Sequence, residues 1–203
     1  MILNKLMSKL SAKACFRIAV GLILFGMLMQ QVCANPIEEQ IGPKNLTIEI
    51  QGSIPIDLVP VDLIQNIKNL NQEDSVDVYI NSPGGVVYGG IPLINSLLDT
   101  KAKVKVHVIG LAASMAGIIA CTGDEIAMDP NTVLMFHTYS SKGGGKSNEI
   151  KADVEFSVPA YKKLLIRSCS KILTGDEIDS IMDGKDLYLG PEDVKRRLPN
   201  VGK

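Results

Sequence analysis

The chain has 203 residues, which is enough for one domain of ordinary size or for one domain with an appended segment. Its hydrophobic content of 46% can fill a core, and that core is mostly aliphatic because aromatic residues make up 4% and tryptophan is absent. A formal net charge of -1 excludes a strong general electrostatic field, so nucleic acid is not an expected partner.

The first 34 residues are typical of a secretory signal peptide. Basic residues precede an uninterrupted apolar run over 18–29, which is too short to span a bilayer comfortably. Small residues then precede a cleavage position after Ala34. An uncleaved membrane anchor is the open alternative. Both interpretations predict an exported protein, either periplasmic or membrane-associated on the non-cytoplasmic side.

The polar stretch 35–45, which contains two prolines, is interpreted as a linker, and the folded domain as 46–203. Cleavage after Ala34 would leave two cysteines, Cys121 and Cys169. A free buried thiol is the common state of a cysteine that follows an apolar helix, and a disulfide between the two stays open. Cysteine and histidine spacing indicates no metal, and no cofactor is expected.

Strands and helices alternate along the domain. The order strand, helix, strand, helix predicts right-handed crossovers and a mainly parallel sheet, hence an α/β fold. A long helical pattern, interrupted near Pro159, predicts a projecting helix and a possible subunit contact. A capping box at Thr174 and Glu177 predicts the start of a short helix. The predicted strands are 46–51, 76–80, 104–109, 125–128 and 133–137, and the predicted helices are 60–70, 86–98, 147–172 and 174–182, with a last helix opening at Pro191.

Ser114 is a candidate nucleophile because of its position between a strand and a helix. The strand 104–109 is followed by a predicted turn at Gly110 and then by an apolar helix whose first residues include Ser114. A hydroxyl at that turn lies beside amide donors of the first helical turn, which have no intrahelical partner and are suited to stabilising an oxyanion. A serine that only caps the helix is the alternative.

A glycine pair follows the strand 76–80. Gly84 and Gly85 permit positive φ and close approach of the backbone, which leaves amide N–H groups exposed. The sequence patterns of phosphate-binding loops are missing. Beside Ser114, the more economical role is half of an oxyanion hole, and a simple tight turn is the alternative.

The choice of a catalytic base is narrow because the chain has two histidines. His107 lies within a predicted strand and is interpreted as structural. His137 lies at a strand end, where functional groups of parallel sheets gather. Asp183 and Asp186 are both candidates to orient His137, and their spacing does not choose between them.

Taken together, four ordered motifs between Gln51 and Arg197 resemble those of ClpP, the proteolytic subunit of the Clp protease. The motifs are Ile80-Asn-Ser-Pro-Gly-Gly85, Ala112-Ala-Ser-Met-Ala116, the strand that ends at His137, and Lys185-Asp-Leu-Tyr-Leu-Gly-Pro-Glu-Asp-Val194. The resemblance implies a ClpP/crotonase-like fold of repeated βαβ units with a projecting helix. It also implies a peptide-hydrolysing triad of Ser114, His137 and Asp186, with oxyanion amides at Gly85 and Met115.

The resemblance further implies how substrate binds and how subunits assemble. An extended peptide is expected to add as a strand beside the glycine-rich loop 141–145, with contacts at Gly84, Ser141 and Gly143. Peptides or unfolded chains are the expected substrates. Stacked rings of identical subunits are the expected assembly.

The chain also departs from the ClpP pattern. Thr138 to Ser140 replace the usual Gln-Pro after the histidine, and a signal-like peptide and linker take the place of the axial N-terminal segment. An exported protein would meet little ATP. We therefore expect a serine endopeptidase that works without an ATPase unfoldase.

Three other functions remain open. A protease of the signal-peptide-peptidase type would use a Ser/Lys dyad, for which Lys142 or Lys146 is available. A crotonase-like acyl-CoA enzyme would share the architecture without needing a nucleophilic serine. A non-catalytic ClpP-like ring subunit would share the fold without any activity.

Overall fold

The computed structural model describes residues 43–140 and 145–198. The signal-like residues 1–34 and most of the predicted linker lie outside the described residues. So do Ser141, Lys142 and Gly143 of the glycine-rich loop.

A six-stranded, mainly parallel sheet forms the centre of the fold. Its strand order is β1-β2-β3-β5-β6, and β4 pairs with β3 off this path. Each pairing is parallel except that of β5 with β6, which is antiparallel. The α/β prediction is therefore confirmed. The strands are β1 (Asn45–Gln51), β2 (Ser75–Ser82), β3 (Lys103–Ala113), β4 (Glu125–Met128), β5 (Val133–Phe136) and β6 (Leu187–Leu189).

Helices connect these strands. Among the described residues, no helix combines the length and the apolar character that crossing a membrane requires. The helices are α1 (Val61–Lys68), α2 (Val87–Asp99), α3 (Met115–Ala120), α4 (Ser147–Cys169), α5 (Gly175–Met182) and α6 (Pro191–Arg197).

The core lies on one face of the sheet because side chains alternate along each strand. In β2, Val76, Val78 and Ile80 are fully buried, whereas Asp77 and Tyr79 are only half-buried on the opposite face. Helix α3 has no polar face at all, since every one of its six residues is buried. The segment directly after Ser114 is thus locked inside the core.

The predicted turn at Gly110 is wrong, because β3 continues through that residue to Ala113. The pairing of β2 with β3 instead shifts register, from Ile80 opposite Val108 to Ser82 opposite Ala112. At this irregularity the Asn81 side chain lies against Gly110 and accepts a 3.2 Å hydrogen bond from Leu111 N. A side chain at Gly110 would displace the Asn81 side chain from this position.

Pro159 does not interrupt the long helix, contrary to the sequence prediction. Helix α4 runs without a break from Ser147 to Cys169 with Pro159 inside it. Proline removes one helical hydrogen bond, and it does so in a stretch of α4 whose residues are exposed, where water can replace the missing partner. The capping box that opens α5 is confirmed, with Thr174 and Glu177 bonded reciprocally.

Cys121 and Cys169 form a disulfide, so the common expectation of a free thiol at Cys121 does not hold. Cys121 caps the end of α3, and Cys169 is the last residue of α4. Both residues are at most 1% exposed. The bridge therefore ties the short buried helix after Ser114 to the long helix across the core.

Replacing both cysteines by alanine should lower the free energy of unfolding by about 4 kcal/mol, because the bridge closes a long loop in the unfolded chain. The sequence separation is 48 residues. Urea unfolding with and without a thiol reductant measures this. Reductant should destabilise the wild type and leave the double variant unchanged, and equal stability of the two proteins without reductant would contradict the prediction.

The Glu177 carboxylate, which receives two 2.8 Å hydrogen bonds from Arg197, should make stability dependent on acid pH. These bonds lower the pKa of Glu177 from 4.5 to about 2. Because the folded-state pKa is depressed, the stabilisation is complete above pH 4.5 and is lost as pH falls towards 2. Glu177→Gln should cost about 1–2 kcal/mol at neutral pH.

The thermal midpoints of wild type and Glu177→Gln, measured at several pH values, check this. Their difference should shrink as the solution is acidified below pH 4.5. Glu192→Gln, a change at an exposed position of α6, is the matched control. A constant difference between wild type and Glu177→Gln across this range would rule out the ionic contribution.

Candidate active site

Ser114 occupies a strained junction between β3 and α3. Its backbone has φ 56° and ψ -123°, a conformation that residues with a side chain rarely adopt. Two backbone bonds hold it there: Ser114 N donates to Met135 O at 2.8 Å, and Ser114 O accepts from Ile118 N at 3.1 Å. Strain of this kind is concentrated at functional sites in proteins.

The Ser114 hydroxyl does not cap the helix that it precedes. The side chain makes no capping hydrogen bond, although Ser114 is the N-cap residue of α3. The residue is also half-buried, whereas all residues of the following helix are buried. Ser114 therefore does not have the helix-capping role that was the alternative to catalysis. Its hydroxyl is accessible beside the first turn of the helix.

Gly84 packs directly against Ser114. Its φ is +89°, and a Cβ built on it would lie 2.7 Å from Ser114 Cβ and 3.0 Å from Met115 N. A 3.0 Å hydrogen bond from Gly84 N to Ser82 Oγ shapes this turn. Only glycine allows the chain after β2 to come this close to the start of α3.

Gly85 presents an exposed amide in the same turn. Ile54 pairs with the backbone on either side of Gly85, since Ile54 N donates to Gly84 O and Ile54 O accepts from Val86 N, both at 2.9 Å. Backbone groups alternate in direction along an extended chain, so the Gly85 N–H points away from Ile54. It donates to no other described residue. Met115 N, at the first position of α3, likewise has no partner within its helix.

Sheet register brings the other two candidate residues to the same end of the fold. In β3 and β5, Ala113 lies opposite Met135, so the chain beyond both strands carries Ser114 and His137 off one edge. In β5 and β6, Phe136 lies opposite Leu187, and the next pair along this antiparallel register is His137 with Asp186. Residues from three distant parts of the chain thus meet at one sheet edge.

The three side chains are not hydrogen-bonded to one another. His137 is half-buried and Asp186 is exposed, and within residues 43–140 and 145–198 no side-chain hydrogen bond joins either of them to Ser114 or to the other. Catalytic hydrogen bonds are often long or absent before substrate binds. Asp183, the other candidate to orient His137, is exposed at the end of α5, three residues before Asp186.

The other histidine has a different environment. His107 Nε2 lies 2.7 Å from Asp77 Oδ1, and its ring stacks on Tyr79 with centroids 4.4 Å apart. The His107 bond lowers the pKa of Asp77. These contacts lie within β2 and β3, away from their carboxyl ends, and they engage the His107 ring in packing.

One residue near the site escaped the sequence analysis. Tyr161 of α4 is 5% exposed and donates a 3.0 Å hydrogen bond from its hydroxyl to His137 O. Burial raises the pKa of Tyr161 to about 12, so its hydroxyl remains a donor at physiological pH. The sequence showed only an apolar position in a helical pattern, and nothing in it pointed to His137.

Lys146, one of the two dyad candidates, is exposed at the N-cap of α4. No hydrogen bond joins its side chain to Ser114 within residues 43–140 and 145–198. Among the described residues, no group of three potential metal ligands is clustered.

Comparison with known proteins agrees with these features. Residues 47–195 match the Clp protease family. The chain is 31% identical over 173 residues to the chloroplastic ATP-dependent Clp protease proteolytic subunit 3 of Arabidopsis thaliana, covering 79% of this chain and 55% of the relative. It is 29% identical over 113 residues to ATP-dependent Clp protease proteolytic subunit 1 of Salinibacter ruber, covering 55% of this chain and 48% of the relative.

The chain spans about half the length of these two relatives. The family match nevertheless covers most of the chain and includes the strained serine, the glycine turn and the strand ends described above. This protein therefore belongs to the Clp protease family.

Proposed function

We propose that the protein is a serine endopeptidase that cleaves peptide bonds through an acyl-enzyme, with Ser114 as nucleophile, His137 as base and Asp186 as the residue that orients His137. One observation carries the proposal. The Ser114 hydroxyl makes no capping bond to α3 and is accessible on a strained turn, beside the exposed Gly85 amide and the first amide of α3. The family membership supports the same chemistry.

The proposed reaction follows from the placement of these groups. A serine hydroxyl is a weak nucleophile at neutral pH, so His137 accepts its proton as Oγ bonds to the peptide carbonyl carbon. The carbonyl oxygen becomes an oxyanion, which the N–H groups of Gly85 and Met115 stabilise. The imidazolium of His137 then protonates the leaving amine, while Asp186 stabilises its charge. Water repeats the sequence on the acyl-enzyme and releases the second product.

We further propose that substrate binds as an extended strand. Gly84 lies against the candidate nucleophile, so a peptide bound at Ser114 would run beside this turn. The remaining contacts are proposed at Ser141 and Gly143. Short peptides and unfolded chains are the proposed substrates, since a strand-like binding mode requires an extended backbone.

Assembly into rings of identical subunits is part of the proposal. In the first part of α4, residues 147–160, almost every residue is exposed. This stretch carries apolar side chains whose exposure to water is unfavourable. They include Phe156, which is 67% exposed, and Ile150 and Val154, each 44% exposed. A second subunit that covers this face would remove them from water.

The names of both relatives include ATP dependence, a statement about those proteins. For this chain we propose peptidase activity without an unfoldase, in keeping with export. The disulfide supports export, because such bonds persist in oxidising compartments outside the cytosol. Hydrolysis of folded proteins only in the presence of an added unfoldase and ATP would overturn this part.

Ser114→Ala and His137→Ala should each lower peptide hydrolysis at least a thousandfold, because nucleophile and base act as a unit. A fluorophosphonate probe should label the wild type at Ser114, detected by mass spectrometry of the purified protein, and should not label Ser114→Ala. His107→Ala, a change at the histidine engaged by Asp77, is the matched control and should keep most of the activity.

The same variants separate the rival functions. Full peptide hydrolysis by His137→Ala would favour a Ser/Lys dyad. Turnover of an acyl-CoA substrate that is undiminished in Ser114→Ala would favour a crotonase-like enzyme. A wild type that neither hydrolyses peptides nor reacts with the probe would favour a non-catalytic ring subunit. The solution mass of each variant, measured alongside, shows whether assembly is unchanged.

Gly84→Ala should lower peptidase activity about a hundredfold, because displacement of a reacting group by about 1 Å has an effect of this size. The added methyl group would lie 2.6 Å from Ala113 O and 2.7 Å from Ser114 Cβ, so the turn must move away from the serine. The ratio kcat/KM for a fluorogenic peptide measures the effect.

Gly52→Ala is the matched control for backbone strain. Gly52 has φ +73°, but a Cβ there would meet nothing within 4 Å. Both substitutions should cost about 1–2 kcal/mol of stability from the left-handed backbone. Equal loss of activity in the two variants would show that strain, and not contact with Ser114, is the cause.

A further inference from the structure

Helix α4 contacts the backbone of His137 through one side chain. Tyr161 is the first buried residue of this helix, two residues after Pro159, and its hydroxyl donates a 3.0 Å hydrogen bond to His137 O. This is the only side-chain hydrogen bond to His137 among residues 43–140 and 145–198. It joins two residues that are 24 positions apart in the sequence.

His137 lies where the support of the sheet ends. The last paired residues of β5 and β6 are Phe136 and Leu187, and residues 137–140 have no regular secondary structure. The Tyr139 ring packs against Tyr161 with centroids 5.7 Å apart and planes at 50°. Tyr161 therefore contacts this short segment at two points, by a hydrogen bond to His137 and by ring packing with Tyr139.

The same helix also holds the segment after Ser114. Cys169 lies two helical turns after Tyr161 on α4 and is bonded to Cys121 at the end of α3. In a helix, residues eight positions apart are separated by about 12 Å and lie near one face. One face of α4 thus contacts the helix after the candidate nucleophile and the segment that carries the candidate base.

We propose that Tyr161 is a positioning residue for His137, and that its hydroxyl, by fixing the His137 carbonyl, holds the imidazole within reach of Ser114. The proposal rests on the proposed function, in which His137 is the base. In this role the Tyr161 hydroxyl acts through the backbone of His137, its hydrogen-bond partner. Loss of its hydroxyl leaves the aromatic ring in the core and releases only the backbone of His137.

Tyr161→Phe tests this, because it deletes one oxygen and retains the ring. The second-order rate of Ser114 labelling by a fluorophosphonate probe, together with kcat and KM for a fluorogenic peptide, should be measured in the purified protein. Misplacing the base should lower the labelling rate and kcat about ten- to a hundredfold and leave KM unchanged. Tyr88→Phe, which deletes the hydroxyl of a 61% exposed tyrosine, is the matched control and should change neither.

A double-mutant cycle distinguishes positioning from a general structural role. In a His137→Ala background the base is gone, so Tyr161→Phe should lower the residual labelling rate less than about twofold, a non-additive result. An equal loss in both backgrounds would overturn the proposal, because it would show a structural effect independent of His137. Unchanged activity of Tyr161→Phe in the wild-type background would also overturn it.

The cycle separates failure of this inference from failure of the proposed function. If His137→Ala retains full labelling, His137 is not the base, and the proposed function fails together with the inference. If His137→Ala loses labelling while Tyr161→Phe retains it, the proposed function stands and only the positioning role fails. Thermal midpoints and solution masses of all four proteins establish that each is folded and assembled alike.

Discussion

The site depends on one strained residue, Ser114, whose φ of 56° turns the chain from β3 into α3. Strain of this kind costs about 1–3 kcal/mol and persists only where the surroundings determine it. Here the hydrogen bond to Met135 O fixes one side, the close approach of Gly84 fills the other, and burial of α3 anchors the chain immediately after the serine. These contacts leave the hydroxyl without a capping role and direct the first helical amides to the same place.

Parallel pairing then determines which other residues can join Ser114. Because β3 and β5 run in the same direction, their carboxyl ends meet at one edge, and His137 leaves the sheet beside Ser114. The antiparallel β6 runs in the opposite direction, so Asp186, just before β6, lies at the same end of this strand pair as His137, just after β5. Extended by one residue, this register places His137 opposite Asp186, which is why Asp186 and not Asp183 is the proposed orienting residue.

Much of this fold could be predicted from the sequence because local patterns encode it. Alternation identified the strands, and the Thr174 capping box marked the start of α5. Gly110 and Pro159 were misread as breakers. Strand β3 continues past Gly110 because its residues Leu111 to Ala113 pair with β5, a distant segment, and Pro159 lies in an exposed stretch of α4 where water can take the place of the missing helical bond. The Cys121–Cys169 bridge and the Tyr161 bond join distant positions, and no local pattern predicts such contacts.

These two distant contacts differ in strength, and the difference determines how the site can respond to stress. The helix after Ser114 is attached to α4 by a covalent bond that is at most 1% exposed, whereas the His137 backbone is attached by one hydrogen bond. A hydrogen bond contributes about 1 kcal/mol net and can open reversibly, whereas a disulfide is covalent and stays closed unless it is reduced or exchanged. If α4 moved, the disulfide would therefore carry α3 with it. The hydrogen bond from Tyr161 to His137 would break first. The alignment of Ser114 with the His137 imidazole is thus lost most easily by displacement of His137, which lies beyond the end of the sheet.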